Sequence, residues 1–174
     1  MTQNQFVGTW RLVSWENRDE DGNVSYPVGQ DALGYVMYTS DGYMSATVMK
    51  PNRPNFAVGD FLGGTPEEQA MAAQTYVAYC GKYETQTNKV IHYVEASLFP
   101  NWVGVKQERF FEFKGNLLSL STAPMLMNGK QQNAHLIWER VGTNNGQKPD
   151  TTISTRDRIS QMASPIKKLF GKIS

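Results

Sequence analysis

The sequence predicts an all-β fold: an eight-stranded up-and-down β-barrel with one helix and a basic C-terminal tail. Three observations carry that expectation. Runs rich in β-branched and aromatic residues alternate with turn signals from residue 6 to residue 140. Three of the joins are tight, at Asp41-Gly42, Thr87-Asn88 and Gly115-Asn116, so the runs they separate pair as hairpins. Eight runs in series would leave two exposed sheet edges, and closure into a barrel removes them. A barrel of that strand number has an interior wide enough for one small ligand.

The runs lie at 6–16, 33–40, 43–49, 82–87, 89–97, 106–114, 117–122 and 133–140. Between the third and fourth the pattern changes. Thr65 precedes Pro66, Glu67 and Glu68, which gives an N-cap, a proline at the first helical position and a glutamate at the third. Ala70, Met71, Ala72, Ala73, Tyr76, Ala78 and Tyr79 follow, so a helix is expected over about 65–80, ending before Gly81. The long Pro/Gly loop 50–64 leads into it, and loop and helix together read as a lid.

Charge divides the chain. Residues 1–141 carry a net −3 and residues 142–174 a net +4. The join at 142–149 is polar, Gly/Asn-rich and closed by Pro149, as a linker would be. The expected domains are therefore a barrel over 1–141 and an appendage over 142–174. Within the appendage, Ile159, Met162, Ile166, Leu169, Phe170 and Ile173 recur at helical spacing among Lys167, Lys168 and Lys172. Such a segment can lie on an anionic membrane surface or a protein partner. Pro165 interrupts it, and docking on its own barrel or fraying in solution is weighed against those roles.

Composition excludes several classes. With 40% hydrophobic and 19% charged residues, a packed core is within reach and wholesale disorder is not expected. The whole-chain charge of +1 shows no nucleic-acid footprint. Cys80 is the single cysteine, which removes internal disulfides and any cysteine-based zinc site, and it reads as a small buried hydrophobe. No signal-like or membrane-length apolar stretch occurs, so a soluble cytoplasmic protein is expected.

Gly8-Thr9-Trp10 opens the first run and Trp138-Glu139-Arg140 closes the last. A guanidinium stacked on an indole would shut the barrel base and contribute about 0.5–2 kcal/mol. Simple alternation puts Trp10, Leu12 and Ser14 on one face, and Leu136, Trp138 and Arg140 on another. The pair resembles the lipocalin signature. The chain is similar in more detail to the bacterial and fungal lipocalin-like domain proteins, through Val7–Ser14, Tyr38–Ser45, Arg53-Pro54, Asp60, Gly63–Glu68, Glu95–Gly104, Arg109–Phe113 and Trp138-Glu139-Arg140. That resemblance implies the barrel over 1–141. It also implies a catalytic alternative, because related barrels in natural-product pathways act as cyclases or isomerases.

The candidate site residues follow from alternation. His92 shares a face with Val90 and Val94 and titrates near neutrality, which suits a general acid/base or a polar anchor. Glu95 would face outward unless a bulge brought it to the same side as a second catalytic group. Arg109 shares a face with Phe111 and Phe113, and a cation there needs either an ion-pair partner, Glu95 or Glu16, or an anionic ligand. Tyr79, Tyr83, Trp102, Phe111, Phe113 and Met44 complete the expected ligand-binding set, each set against plain core packing. No metal site and no cofactor are expected. The leading function is accommodation of a small, largely hydrophobic molecule in the barrel. The alternative is a cofactor-free cyclase, isomerase or dehydratase acting on a polyketide- or terpenoid-like intermediate.

Overall fold

The computed structural model describes residues 5–127 and 129–142, so the expectations placed on 143–174 lie outside the described residues. Strands β1 (Gly8–Asp19), β2 (Val24–Ser25), β3 (Leu33–Tyr38) and β4 (Tyr43–Met49) precede helix α1 (Pro66–Gln74). Then come β5 (Tyr76–Thr85), β6 (Lys89–Ser97), a 3-10 turn (Pro100–Trp102), β7 (Lys106–Lys114), β8 (Leu117–Ser121), β9 (Met125–Met127) and β10 (Lys130–Arg140). Pairing is antiparallel in the order β2-β1-β3-β4-β5-β6-β7-β8-β10-β9, and a β1–β10 ladder from Trp10↔Arg140 to Asp19↔Gln132 closes the wall. Eight long strands form the barrel. The short β2 and β9, which the sequence reading did not anticipate, pair with the far ends of β1 and β10.

In an up-and-down barrel, alternate connections share an end. The tight joins β3–β4, β5–β6 and β7–β8 therefore lie at the same end as Trp10 and Arg140. The long connections, β1–β3, β4–β5, β6–β7 and β8–β10, gather at the other. Arg140 stacks over the Trp10 ring at 4.0 Å. Its guanidinium also donates to the Val7 carbonyl at 2.8 Å and to the Gln5 carbonyl, while Trp10 Nε1 donates to the Phe6 carbonyl at 2.8 Å. Gly8 has φ +133°, and a Cβ there would come within 2.8 Å of Arg140 Nη1, so this glycine permits both the turn and the stack.

Helix α1 begins as expected and stops earlier. Glu68 N–H donates to Thr65 Oγ1 and Thr65 N–H donates to Glu68 Oε2, completing the capping box. The helix ends at Gln74, and residues 76–80 belong to β5 rather than to the helix, paired to β4 from Met49↔Tyr76 onward. Tyr76, Val77 and Tyr79 have the β-branched or aromatic side chains that favour a pleated surface, and pairing along β4 outweighs the helical signal of the alanines before them.

Two bulges redirect side chains. Between Leu12 and Ser14, β1 slips against β10, so the inward face passes from Trp10 and Leu12 to Trp15 and Asn17 instead of to Ser14. Between Cys80 and Gly81, β5 slips against β6, with Cys80 opposite Ala96 and Gly81 opposite Val94. Residue 81 must be glycine, because a Cβ would lie 1.9 Å from the Tyr93 carbonyl oxygen. Cys80 is exposed beside this bulge rather than buried.

Candidate functional site

The barrel interior is filled at one end and hollow at the other. At the tight-turn end Phe6 packs edge-on against Tyr38, Phe111 and Phe113, with ring centroids 5.1, 4.9 and 4.9 Å away. Tyr83 packs on Tyr38 at 4.9 Å and donates its hydroxyl to the Thr39 carbonyl at 2.9 Å. Edge-to-face pairs of this kind fill space densely and contribute beyond their buried area. Met44 is buried in the same core.

Above this plug lies a cavity of about 490 Å³, within the usual range for small-molecule sites. Its wall is mostly apolar: Val36, Ala46, Val48, Leu120, Leu136 and Trp138 come from four strands. Ala73 and Gln74 of α1, together with Phe99 and Trp102 of the β6–β7 connection, border it at the end of the long connections. Arg53 anchors the loop before α1 by donating to Thr75 Oγ1 at 3.1 Å and to the Ala72 carbonyl at 2.9 Å.

Polar groups converge on one side of the cavity. His92 on β6 is 1% exposed, with Tyr38 Oη 2.9 Å from Nε2 and Tyr79 Oη 3.0 Å from Nδ1. Arg109 on β7 is 8% exposed and lines the cavity with His92 and Tyr79. Its guanidinium donates to Gln107 Oε1 at 2.5 Å and to the Glu108 carbonyl at 2.9 Å. Both acceptors are neutral, and none of the ion pairs among the described residues includes Arg109. Burial, aided by the Arg109 charge, holds the His92 pKa well below its usual value, so the imidazole is neutral. Burial raises Tyr38 and Tyr79, and the nearby guanidinium opposes the rise at both.

Of the residues singled out from sequence, His92, Arg109, Tyr79 and Trp102 line the cavity. Tyr83, Phe111, Phe113 and Met44 instead belong to the filled core, because the aromatic pairs at that end pack against one another and leave no wall to present. Glu95 is exposed: it is the extra residue of β6 opposite the Cys80/Gly81 step, and the bulge that might have turned it inward leaves it in solvent. It is also not the counterion of Arg109, and Glu16 pairs with Arg18 at 2.5 Å instead.

Several site residues escaped the sequence reading. Tyr38 is buried beside His92, and the alternation Gly34, Val36, Tyr38 along β3 was the signal that could have found it. Trp15 needed the β1 bulge to reach the interior, which alternation cannot foresee. Gln107, two residues before Arg109 on the same face, was legible as its holder.

The model of the lipocalin-like domain matches residues 7–141. The chain belongs to the lipocalin-like domain family. This lipocalin-like protein is also similar to the 4'-hydroxy-3'-methoxypropiophenone carrier protein ppsC of Aspergillus oryzae, with 42% identity over 107 residues, covering 56% of this chain and 96% of that one. No solved structure matches it significantly. Among the described residues, no helix is long and apolar enough to cross a membrane.

Proposed function

We propose that this protein is a carrier that holds a small, largely apolar aromatic molecule in the barrel, with one ligand oxygen at Arg109 and Tyr79. The observation that carries the reading is the Arg109 guanidinium, buried on the cavity wall with only neutral acceptors among the described residues. A cation removed from water without a counterion is costly, and a ligand oxygen bearing negative charge offsets that cost. Shape alone is not enough. Burying one aromatic ring removes about 150–250 Å² of apolar surface, roughly 4–6 kcal/mol at about 25 cal/mol per Å². Immobilisation consumes much of that, leaving affinity weaker than millimolar without polar anchors. The similarity to a carrier of an aryl ketone supports the same chemistry, and a role in natural-product metabolism goes with it.

The catalytic alternative needs a base with a free lone pair beside the ligand. Both ring nitrogens of His92 are occupied by tyrosine hydroxyls, and no carboxylate is among the described residues that line the cavity. Binding without turnover is therefore the better-supported reading. Titrating the protein with 4'-hydroxy-3'-methoxypropiophenone, followed by the fluorescence of Trp15, Trp102 and Trp138, should give saturable one-to-one binding. Chromatography should recover the ligand unchanged. A flat titration would sink the carrier reading, and a converted ligand would replace it with catalysis.

A further inference from the structure

The hydrogen bonds around His92 have a direction. Tyr38 is 2% exposed, and among the described residues His92 Nε2 is the hydrogen-bond partner of its hydroxyl. A buried donor without an acceptor costs more than a buried oxygen with a spare lone pair, so Tyr38 donates to Nε2. A neutral imidazole that accepts at Nε2 carries its proton on Nδ1, which donates to Tyr79 Oη. The Tyr79 hydroxyl proton then has no acceptor within the chain Tyr38–His92–Tyr79 and is left for the cavity. Arg109, on the same wall and within hydrogen-bonding reach of Tyr79, keeps guanidinium N–H groups beyond those that Gln107, Glu108 and Tyr79 engage. His92 from β6, Arg109 from β7 and Tyr79 from β5 face the cavity, backed by Tyr38 from β3 and Gln107 from β7, and Tyr76 of β5 is the further tyrosine on the described wall. The rest of the described wall contributes no Asp, Glu or Lys.

We infer that the cavity selects a weakly acidic phenol, such as a phenol conjugated to a carbonyl group, and binds it as the phenolate, held by the Tyr79 hydroxyl and the Arg109 guanidinium. This deepens the carrier reading and rests on it. A site offering only donors around an uncompensated cation discriminates for the ionised oxygen over the neutral one, since charge-assisted hydrogen bonds are roughly twice as strong. An acyl group conjugated to the ring lowers the phenol below the ~10 of an ordinary phenol, which brings ionisation within reach of one buried cation. The proton that leaves the ligand goes to the buffer, because His92 is held neutral by its surroundings and takes none up.

Absorption spectroscopy tests this directly, with 4'-hydroxy-3'-methoxypropiophenone and its phenol methyl ether as probes. At a pH where the free phenol is neutral, the bound phenol should show the red-shifted phenolate band. Calorimetry in buffers of different ionisation enthalpy should find about one proton released per ligand bound, as one-site ionisation linkage requires. Arg109→Met should abolish the band and weaken phenol binding about tenfold or more, while binding of the methyl ether changes little; Arg109→Lys should restore part of the band. If the wild-type complex forms but keeps the neutral spectrum and releases no proton, the inference falls and the carrier reading stands. If neither probe binds the wild type, both fall.

Discussion

The two ends of this barrel are built from the same strands and do opposite things. The tight-turn end is packed with rings that satisfy one another and is shut by Arg140 on Trp10. The other end keeps its centre empty and brings together a buried cation, a neutral histidine and a tyrosine hydroxyl. In a closed barrel the strands must pair along their whole length, so stability concentrated at one end can hold the wall around a void at the other. The filled end makes the hollow end possible.

That contrast breaks most visibly at the base. Trp10→Ala should cost about 3–5 kcal/mol in urea or thermal unfolding, as the loss of a fully buried indole usually does. A loss below about 1 kcal/mol would mean that the base does not hold the barrel.

The next effect concerns the hollow end and pH. Burial first, and Arg109 second, depress the folded-state pKa of His92. Below about 6.5 the unfolded chain binds a proton there that the native protein does not, so stability declines as pH falls from that value toward the folded pKa. The slope from this one group approaches about 1.4 kcal/mol per pH unit. His135 acts with the same sign, its pKa lowered by burial and by Arg18 against an opposing Glu16. The pH dependence of unfolding from pH 6.5 to 5 should therefore flatten more in His92→Gln than in His135→Gln; a slope in His92→Gln unchanged from the wild type would show that His92 is not held neutral.

The smallest effect on stability belongs to the rim. Trp102 is half-buried and packs edge-on against Tyr79 and Phe99, both at 5.6 Å. Trp102→Ala should change stability by only about 1 kcal/mol, yet weaken ligand binding several-fold. Large destabilisation with unchanged affinity would make the rim part of the base in energetic terms and erase the distinction between the ends.

Much of this was open to a reader of the sequence. Thr65 and Glu68 announce the start of α1 because a capping box is local chemistry, and Asp41-Gly42 and Gly115-Asn116 announce hairpins for the same reason. Trp10 and Arg140 could be paired across the chain because each lies at a strand end where closure brings the termini together. His92, Arg109 and Tyr79 were legible as chemistry-bearing residues, although their common wall was not. Phe111 and Phe113 were misplaced because alternation tells which face a residue takes, not how far along the barrel it lies. Glu95 and Trp15 sit beside bulges, which reset the alternation on one strand alone.

The order of the long strands, the tight turns between them, the helix start and the stacked base are written into the chain, since each depends on neighbouring residues or on one chemically specific pair. Which half of the barrel stays hollow, that β5 begins at Tyr76, and that Arg109 meets no carboxylate among the described residues emerge only from the folded barrel. Those outcomes depend on strand stagger and on what else fills the shared interior, quantities that no single segment encodes.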